Sequence, residues 1–238
     1  MEKPDLREKG GGRGGVQQLS ERRLFMQLLA FGACTASAGL VRALAASAWE
    51  GVLYEDVNDP SGIALLTWSV DPAFFVTELR AWLQAPPFGG LRFKPRYTML
   101  GRTYGLGHEP DLEDVLLDRP RRTVTEGAHP WAVWYPLRRA GAFSELALEE
   151  QTAILREHGA IGHAFGTAGY AQDIRLACTG LDQNDNDFVI GLAGAELHPL
   201  AACVQAMRKT RQTSSFIQRM GPFLVGHAVW QRMRTQKL

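Results

Sequence analysis

The chain has 238 residues, 45% of them hydrophobic and 21% charged, with a net charge of +1; it can bury a full core but lacks the charge to seek a polyanion. Nucleic acid is therefore excluded as an expected partner. Three cysteines, Cys34, Cys178 and Cys203, stand far apart among apolar or small residues and read as buried thiols in a reducing, cytoplasmic setting.

In chain order, residues 1–22 open with the polar, glycine-rich KGGGRGG at 9–15 and are expected to be a flexible tail. The following ERRLFMQLLAFGACTASAGLVRALAASAWE imitates a twin-arginine export signal with a small-residue cleavage site. Arg42 interrupts its apolar run, so no membrane span is expected. From Leu24 the pattern gives an apolar strand (24–32), an Ala-rich amphipathic helix (36–48) and a hairpin around NDPSG. PAFFVTELRAWLQ then reads as a helix, and LRFKPRYTMLGRTYG as a strand.

That βαββαβ order is ferredoxin-like, and it returns in the second half. There WAVWYPL is a strand, LALEEQTAILREHGAIGHAF a helix, and DIRLACTGL with DFVIGLAG a hairpin around DQNDN. HPLAACVQAMRKTRQTSSFI follows as a helix and GPFLVGHAVW as a strand. Because removal of the signal-like stretch would delete the first strand and helix of one copy, that stretch reads as structure. The expected fold is α+β: two βαββαβ repeats, 23–106 and 131–238, forming an antiparallel barrel with helices outside. The charged, Pro-punctuated segment 107–130 connects them and holds a short helix at 110–117.

Within the second long helix, His158 shares a face with Ile154, Leu155 and Ile161. Spacing alone leaves two readings open. One is a core histidine bonded to a backbone carbonyl; the other is an axial ligand to an iron porphyrin, which buries a large apolar area and takes one imidazole nitrogen. His158 and His163 are too badly spaced to share one helix face as metal ligands. GRTYGLG has the wrong glycine spacing for a dinucleotide loop, and DLEDVLLD reads as a solvated helix face. His108, His129, His163, His198 and His227 are scattered; a distal role is conceivable for His129, six residues before Tyr135.

Four stretches, WYPLRR (134–139), EHGAIG (157–162), GLDQNDNDFVIGL (180–192) and MRKTRQTSSFIQRMGPFLVG (207–226), together resemble the chlorite dismutase family and its relatives, the coproheme decarboxylases. The resemblance implies haem b or coproheme as cofactor, with His158 as the iron ligand. It implies Tyr135 as the radical-forming residue beside a propionate and Arg138 and Arg139 as propionate partners. Phe143 takes the place of a tryptophan near the macrocycle. On the distal side Asp173 stands where chlorite-degrading members have arginine and many decarboxylases glutamine, while Arg175, two residues on along the strand, is the substitute cation. Behind the iron, a glutamate of the chlorite dismutases is replaced by Arg211 and Gln212.

The activity implied is peroxide-dependent decarboxylation of iron coproporphyrin to haem b, with Tyr135, Arg139 and Arg175 as catalytic residues. Other readings stay open beside it. One is a chlorite dismutase or peroxidase-like haem b enzyme, a second a non-catalytic haem carrier, and a third a barrel that binds another small molecule. The expected partners are a porphyrin with peroxide or chlorite, and further copies of the chain, a pentamer by resemblance.

Overall fold

The computed structural model describes residues 3–233. Strands β1 (Glu8–Arg13) and β2 (Val16–Ser20) form a hairpin. The first repeat then runs β3 (Phe25–Gly32), α1 (Ala38–Ala46), β4 (Gly51–Asp56), β5 (Ile63–Ser69), α2 (Ala73–Val76), α3 (Glu78–Gln84), β6 (Arg92–Phe93) and β7 (Met99–Arg102). A wide helical turn over Asp114–Asp118 leads into α4 (Arg119–Thr125). The second repeat is β8 (Trp131–Arg139), α5 (Leu148–Thr167), β9 (Gln172–Ala177), β10 (Phe188–Gly194), α6 (Leu197–Met207), α7 (Arg211–Phe216), β11 (Ile217–Met220) and β12 (Leu224–Arg232).

Eight strands close in the order β10-β9-β7-β3-β5-β4-β12-β8, with β8 pairing back onto β10 and every pair antiparallel. The repeats meet along β4 and β12, paired from Gly51↔Arg232 to Asp56↔Gly226 with a register shift between Ala228 and Trp230, and again at a single pair, Arg102↔Ala177, between β7 and β9.

The apolar runs become barrel strands because both faces of each strand are covered. Along 24–32, Leu24, Met26, Leu28 and Ala30 fill the barrel, while Phe25, Leu29 and Phe31 meet the helices outside. Aromatics on one strand fill the barrel where the neighbour has glycine: a Cβ on Gly191 would come within 2.6 Å of the Trp134 ring, and one on Gly226 within 2.6 Å of Tyr54 Cβ. Leu112, Leu116, Leu117 and Val124 of the connector join this same core. A ligand of any size must therefore lie outside the barrel, between sheet and helices.

Besides DLEDVLLD, which is no solvated helix face because Leu112, Leu116 and Leu117 are buried in the barrel core, the structure departs from the sequence reading in three places. Residues 8–20 are not a tail. Gly14 and Gly15, at φ +61° and +83°, make the two-residue turn of the hairpin, a conformation that favours glycine. The hairpin's glycines let its backbone touch the connector: a Cβ on Gly10 would sit 2.9 Å from Leu112 Cβ, and the Gly11 amide donates to the Glu109 carbonyl at 2.9 Å. Gln18 donates its side-chain amide to the Glu109 carbonyl at 3.0 Å and accepts from the Leu112 amide at 3.1 Å. Second, the strand expected over 91–105 is two short strands, β6 and β7, parted by a helical turn at Pro95–Tyr97. Third, the helix expected over 198–217 breaks into α6 and α7, because Thr210 takes extended backbone and caps the second piece through its hydroxyl.

The signal-like stretch is the strand β3 and helix α1, with Leu24 and Met26 fully buried. Its arginines are held as well: Arg22 by Glu113 at 3.0 Å and Arg23 by Glu8 at 3.6 Å. Among the described residues no helix is long and apolar enough to cross a membrane.

Candidate functional site

Helix α5 is twenty residues long, begins with Glu149 and Glu150 in its first turn, where negative charge suits the helix dipole, and buries only Ile154. Its neighbours include α6, α7 and β9. The outer sheet face of this repeat carries Val133, Tyr135 and Leu137 from β8, Phe188, Ile190 and Leu192 from β10, and Asp173 and Arg175 from β9. Register fixes two rows across these strands: Tyr135–Ile190–Arg175, and Val133–Leu192–Asp173. At roughly 4.8 Å per strand, Tyr135 and Arg175 have backbones about 10 Å apart.

His158 is half-buried on α5, and its Nδ1 lies 3.0 Å from the Thr210 hydroxyl. That hydroxyl donates its own hydrogen to the Met207 carbonyl at 2.8 Å. The Thr210 oxygen must then accept, so Nδ1 carries the proton and Nε2 the lone pair. Burial pulls the His158 pKa below its usual value, and the cations Arg139 and Arg175 add to the effect while Glu157 opposes it. Neither Arg211 nor Gln212, the positions expected to back the histidine, contacts its ring. Arg211 pairs with Glu150 at 2.6 Å, and Gln212 is buried with its Oε1 unpartnered. A neutral hydroxyl one residue earlier replaces the carboxylate.

Arg139 lies over two rings, its guanidinium carbon 4.4 Å from the Phe143 centroid and 4.9 Å from that of Phe188, and its buried Nε has no hydrogen-bond partner. Burial lowers its pKa, with Tyr104 and Asp187 opposing. Phe143, 3% exposed, meets Phe216 edge-on at 5.5 Å. Arg138 does not join this group. Strand alternation turns it to the opposite face from Arg139, where it pairs with Asp185.

Tyr135 is 5% exposed and stacks on Phe223 with centroids 4.7 Å apart. Burial raises its pKa, and Cys203 and Asp173 push the same way against Arg208, so the phenol keeps its hydrogen at neutral pH. Asp173 faces neither iron nor oxidant as a free carboxylate: Oδ1 accepts from Arg119 at 3.0 Å and Oδ2 from Arg175 at 2.9 Å. A cavity of about 30 Å³ adjoins this triad, lined also by Thr103, Tyr104 and Val115. A second, of about 210 Å³, lies elsewhere, against β3 and β7. His129 precedes the end of β8 remote from Arg139; its amide donates to the Glu126 carbonyl at 2.9 Å, and its buried Nδ1 has no hydrogen-bond partner.

His158, Arg139, Arg175, Asp173 and Tyr135 thus belong to one region, with Phe143 at its edge. Sequence reasoning missed Thr210, Arg119 and Tyr104. The capping pattern T-x-x-T at 210–213 was a legible signal for the first. The other two come from the first repeat and the connector, and only the tertiary fold brings them here. Among the described residues no three His, Cys, Asp or Glu side chains form a metal cluster.

The sequence profile described as chlorite dismutase matches residues 117–229, from the end of the connector through β12. Over these residues the chain is similar to the chlorite dismutase family. Solved structures extend the likeness in fold to most of the chain. A provisionally named chlorite dismutase is 13% identical at a TM-score of 0.69, over 87% of this chain and 95% of that one. The chlorite dismutase from Candidatus Nitrospira defluvii in complex with imidazole is 16% identical at 0.64, over 88% of this chain and 92% of that one. An arginine-to-alanine mutant of the same enzyme gives 17% and 0.66 over the same shares. Curated protein sequences give no match.

Proposed function

We propose that this chain is a member of the chlorite dismutase family and a haem-binding oxidoreductase that decarboxylates iron coproporphyrin to haem b at the expense of peroxide. The observation that carries the reading is the 3.0 Å contact of His158 Nδ1 with the Thr210 hydroxyl, which occupies one ring nitrogen and leaves Nε2 to bind a metal. The residues present fit a porphyrin. α5 buries a single residue of its own, and the half-buried Arg139 has a buried, unpartnered Nε. When bound, an iron porphyrin would supply the two-electron chemistry of peroxide.

This chain's residues do the rest. His158 holds the metal through Nε2. Arg139, already desolvated between two rings, accepts a propionate as the anion its Nε lacks. Tyr135 Oη, kept protonated by burial, would be the group that holds and relays a hydrogen beside the propionate. Each propionate consumes one peroxide and one proton and yields a vinyl group, carbon dioxide and two waters. Thr210 is a weaker hydrogen-bond acceptor than a carboxylate, so His158 stays imidazole rather than approaching imidazolate. Asp173 opposes an anionic oxidant near Arg175, which supports neutral peroxide over chlorite. Assembly into a ring, a pentamer by resemblance, and a cytoplasmic location belong to the same proposal.

The test is to titrate the protein with coproheme, add peroxide and follow the loss of two carboxyl groups by mass. Decarboxylation that persists unchanged in Tyr135→Phe removes the mechanism. Binding without mass loss reassigns the protein as a carrier, and oxygen release from chlorite would restore the rival enzyme.

A further inference from the structure

We infer that the cavity bounded by β3, β7 and the loop 178–187 is a binding site for a small, uncharged aromatic molecule bearing a polar substituent. The cavity holds about 210 Å³. An apolar cavity of about 150 Å³ takes up benzene, so a single ring with a small substituent fits here and a porphyrin does not.

The lining sets the chemistry of the guest. Phe93, left 47% exposed, offers its ring, and Leu100 and Leu181 add apolar contact. The outer row of β3 is apolar at Phe25, Leu29 and Phe31, yet here it places Gln27, in register with Leu100 of β7. Thr98 is the sharper signal. It lines the cavity, and its Oγ1 is buried with no hydrogen-bond partner among the described residues. A buried hydroxyl left unpaired is costly, and the polar substituent of a guest satisfies it. Asp182 serves the loop instead: its Oδ2 accepts from the Asn184 and Asn186 amides at 3.0 and 3.1 Å and from Asn186 Nδ2 at 2.7 Å. Its negative charge disfavours an anionic guest.

The far wall of the cavity is a loop attached at two places. On the cavity side Gln183 donates its side-chain amide to the Pro95 carbonyl at 2.9 Å, which ties the loop to the turn after β6. At its other end Asp187 accepts from the Arg139 amide at 2.8 Å, and Asp185 pairs with Arg138. A guest resting on Leu181 and Gln183 favours the loop arrangement that pins Arg139, and so strengthens binding of the ligand that Arg139 holds. That use of the site rests on the function proposed above. Its existence does not.

The experiment uses the full-length protein free of porphyrin, so its outcome is independent of iron binding. Phenol, toluene and benzoate are titrated by saturation-transfer NMR into wild type, Thr98→Val and Leu100→Trp, with circular dichroism checking each fold. Phenol is expected to bind most tightly and benzoate least. Thr98→Val exchanges the hydroxyl for a methyl of the same shape, so it should weaken phenol about fivefold and leave toluene unchanged, as loss of one neutral hydrogen bond implies. Leu100→Trp fills the cavity and should abolish binding of both. No phenol signal in wild type overturns the assignment, as does equal phenol affinity in Thr98→Val or binding that survives Leu100→Trp. If Leu100→Trp does not fold, Thr98→Val decides alone. Coproheme affinity, measured with and without saturating phenol, should rise about fivefold, and an unchanged value removes the link to Arg139. A failed coproheme titration beside successful phenol binding removes the proposed function and leaves the aromatic site standing.

Discussion

The two repeats share one topology and treat the space between sheet and helices in opposite ways. In the first, Phe31, Leu53, Ile63 and Leu65 on the sheet meet Leu40, Leu44, Phe75, Leu79 and Phe88 from the helical side. Rings lock into rings there, with Trp82 and Phe88 centroids 4.9 Å apart and Trp49 and Phe74 5.1 Å apart. In the second, a twenty-residue helix buries one side chain; the sheet packs Val133, Tyr135, Leu137 and Leu192 against Leu200 and Cys203 of α6, and beside this cluster carries a half-buried arginine and an Arg–Asp–Arg triad. Duplicated architecture thus divides the labour: one copy closes its interlayer with aromatics, and the other sets charged and polar groups beside its apolar cluster.

Core truncation should expose the contrast most strongly. Phe88→Ala is expected to cost about 4 kcal/mol of unfolding free energy, against about 2 kcal/mol for Ile154→Ala, the one buried position of α5, measured by urea denaturation. Equal costs would break the comparison. His158→Ala should lower the stability of the porphyrin-free protein by no more than about 1 kcal/mol, the worth of one neutral hydrogen bond, yet abolish the Soret band on titration with haem or coproheme.

The pH dependence follows from the same residue. His158 is depressed below its ordinary value of 6.5 in the folded protein, so between those two values the unfolded chain binds more protons. Its stability contribution is complete above 6.5 and is lost as pH falls through that window. His158→Gln should flatten this segment of the stability–pH curve, and an unchanged slope would show that burial of the ring is not its source. The smallest effect on stability is expected from Arg139→Gln. The stacking it loses offsets the relief of an unpartnered buried charge, leaving the porphyrin-free protein within about 1 kcal/mol of wild type. Porphyrin affinity, by contrast, should fall about tenfold, as removal of one charge-assisted hydrogen bond implies.

What was legible in the sequence followed from periodicity. The alternation at 24–32 and 131–139 and the apolar hairpin segments were enough to reveal two βαββαβ units, because burial on both faces writes itself into composition. The hairpin at 8–20 escaped because its strands offer no apolar alternation. They pack through bare backbone, Gly10 against Leu112, and only the Gly14–Gly15 turn betrays them. His158 stood out by its place in a motif, but its partner did not: a search for a carboxylate passes over Thr210, whose role depends on a helix break. Arg119 and Tyr104 lie 54 and 69 positions from Asp173 in the sequence, and no local pattern encodes that meeting. The paired arginines 138 and 139 looked like one feature and are two, since a strand sends neighbours to opposite faces.

The single residue pair that joins β7 to β9 has a mechanical consequence. With six paired positions along β4 and β12 on the other side, the barrel is stitched like a book with a firm spine and one clasp at its fore-edge. Thermal breathing should begin at that clasp, so amides near 102–104 and 174–177 exchange with solvent ahead of those along the spine.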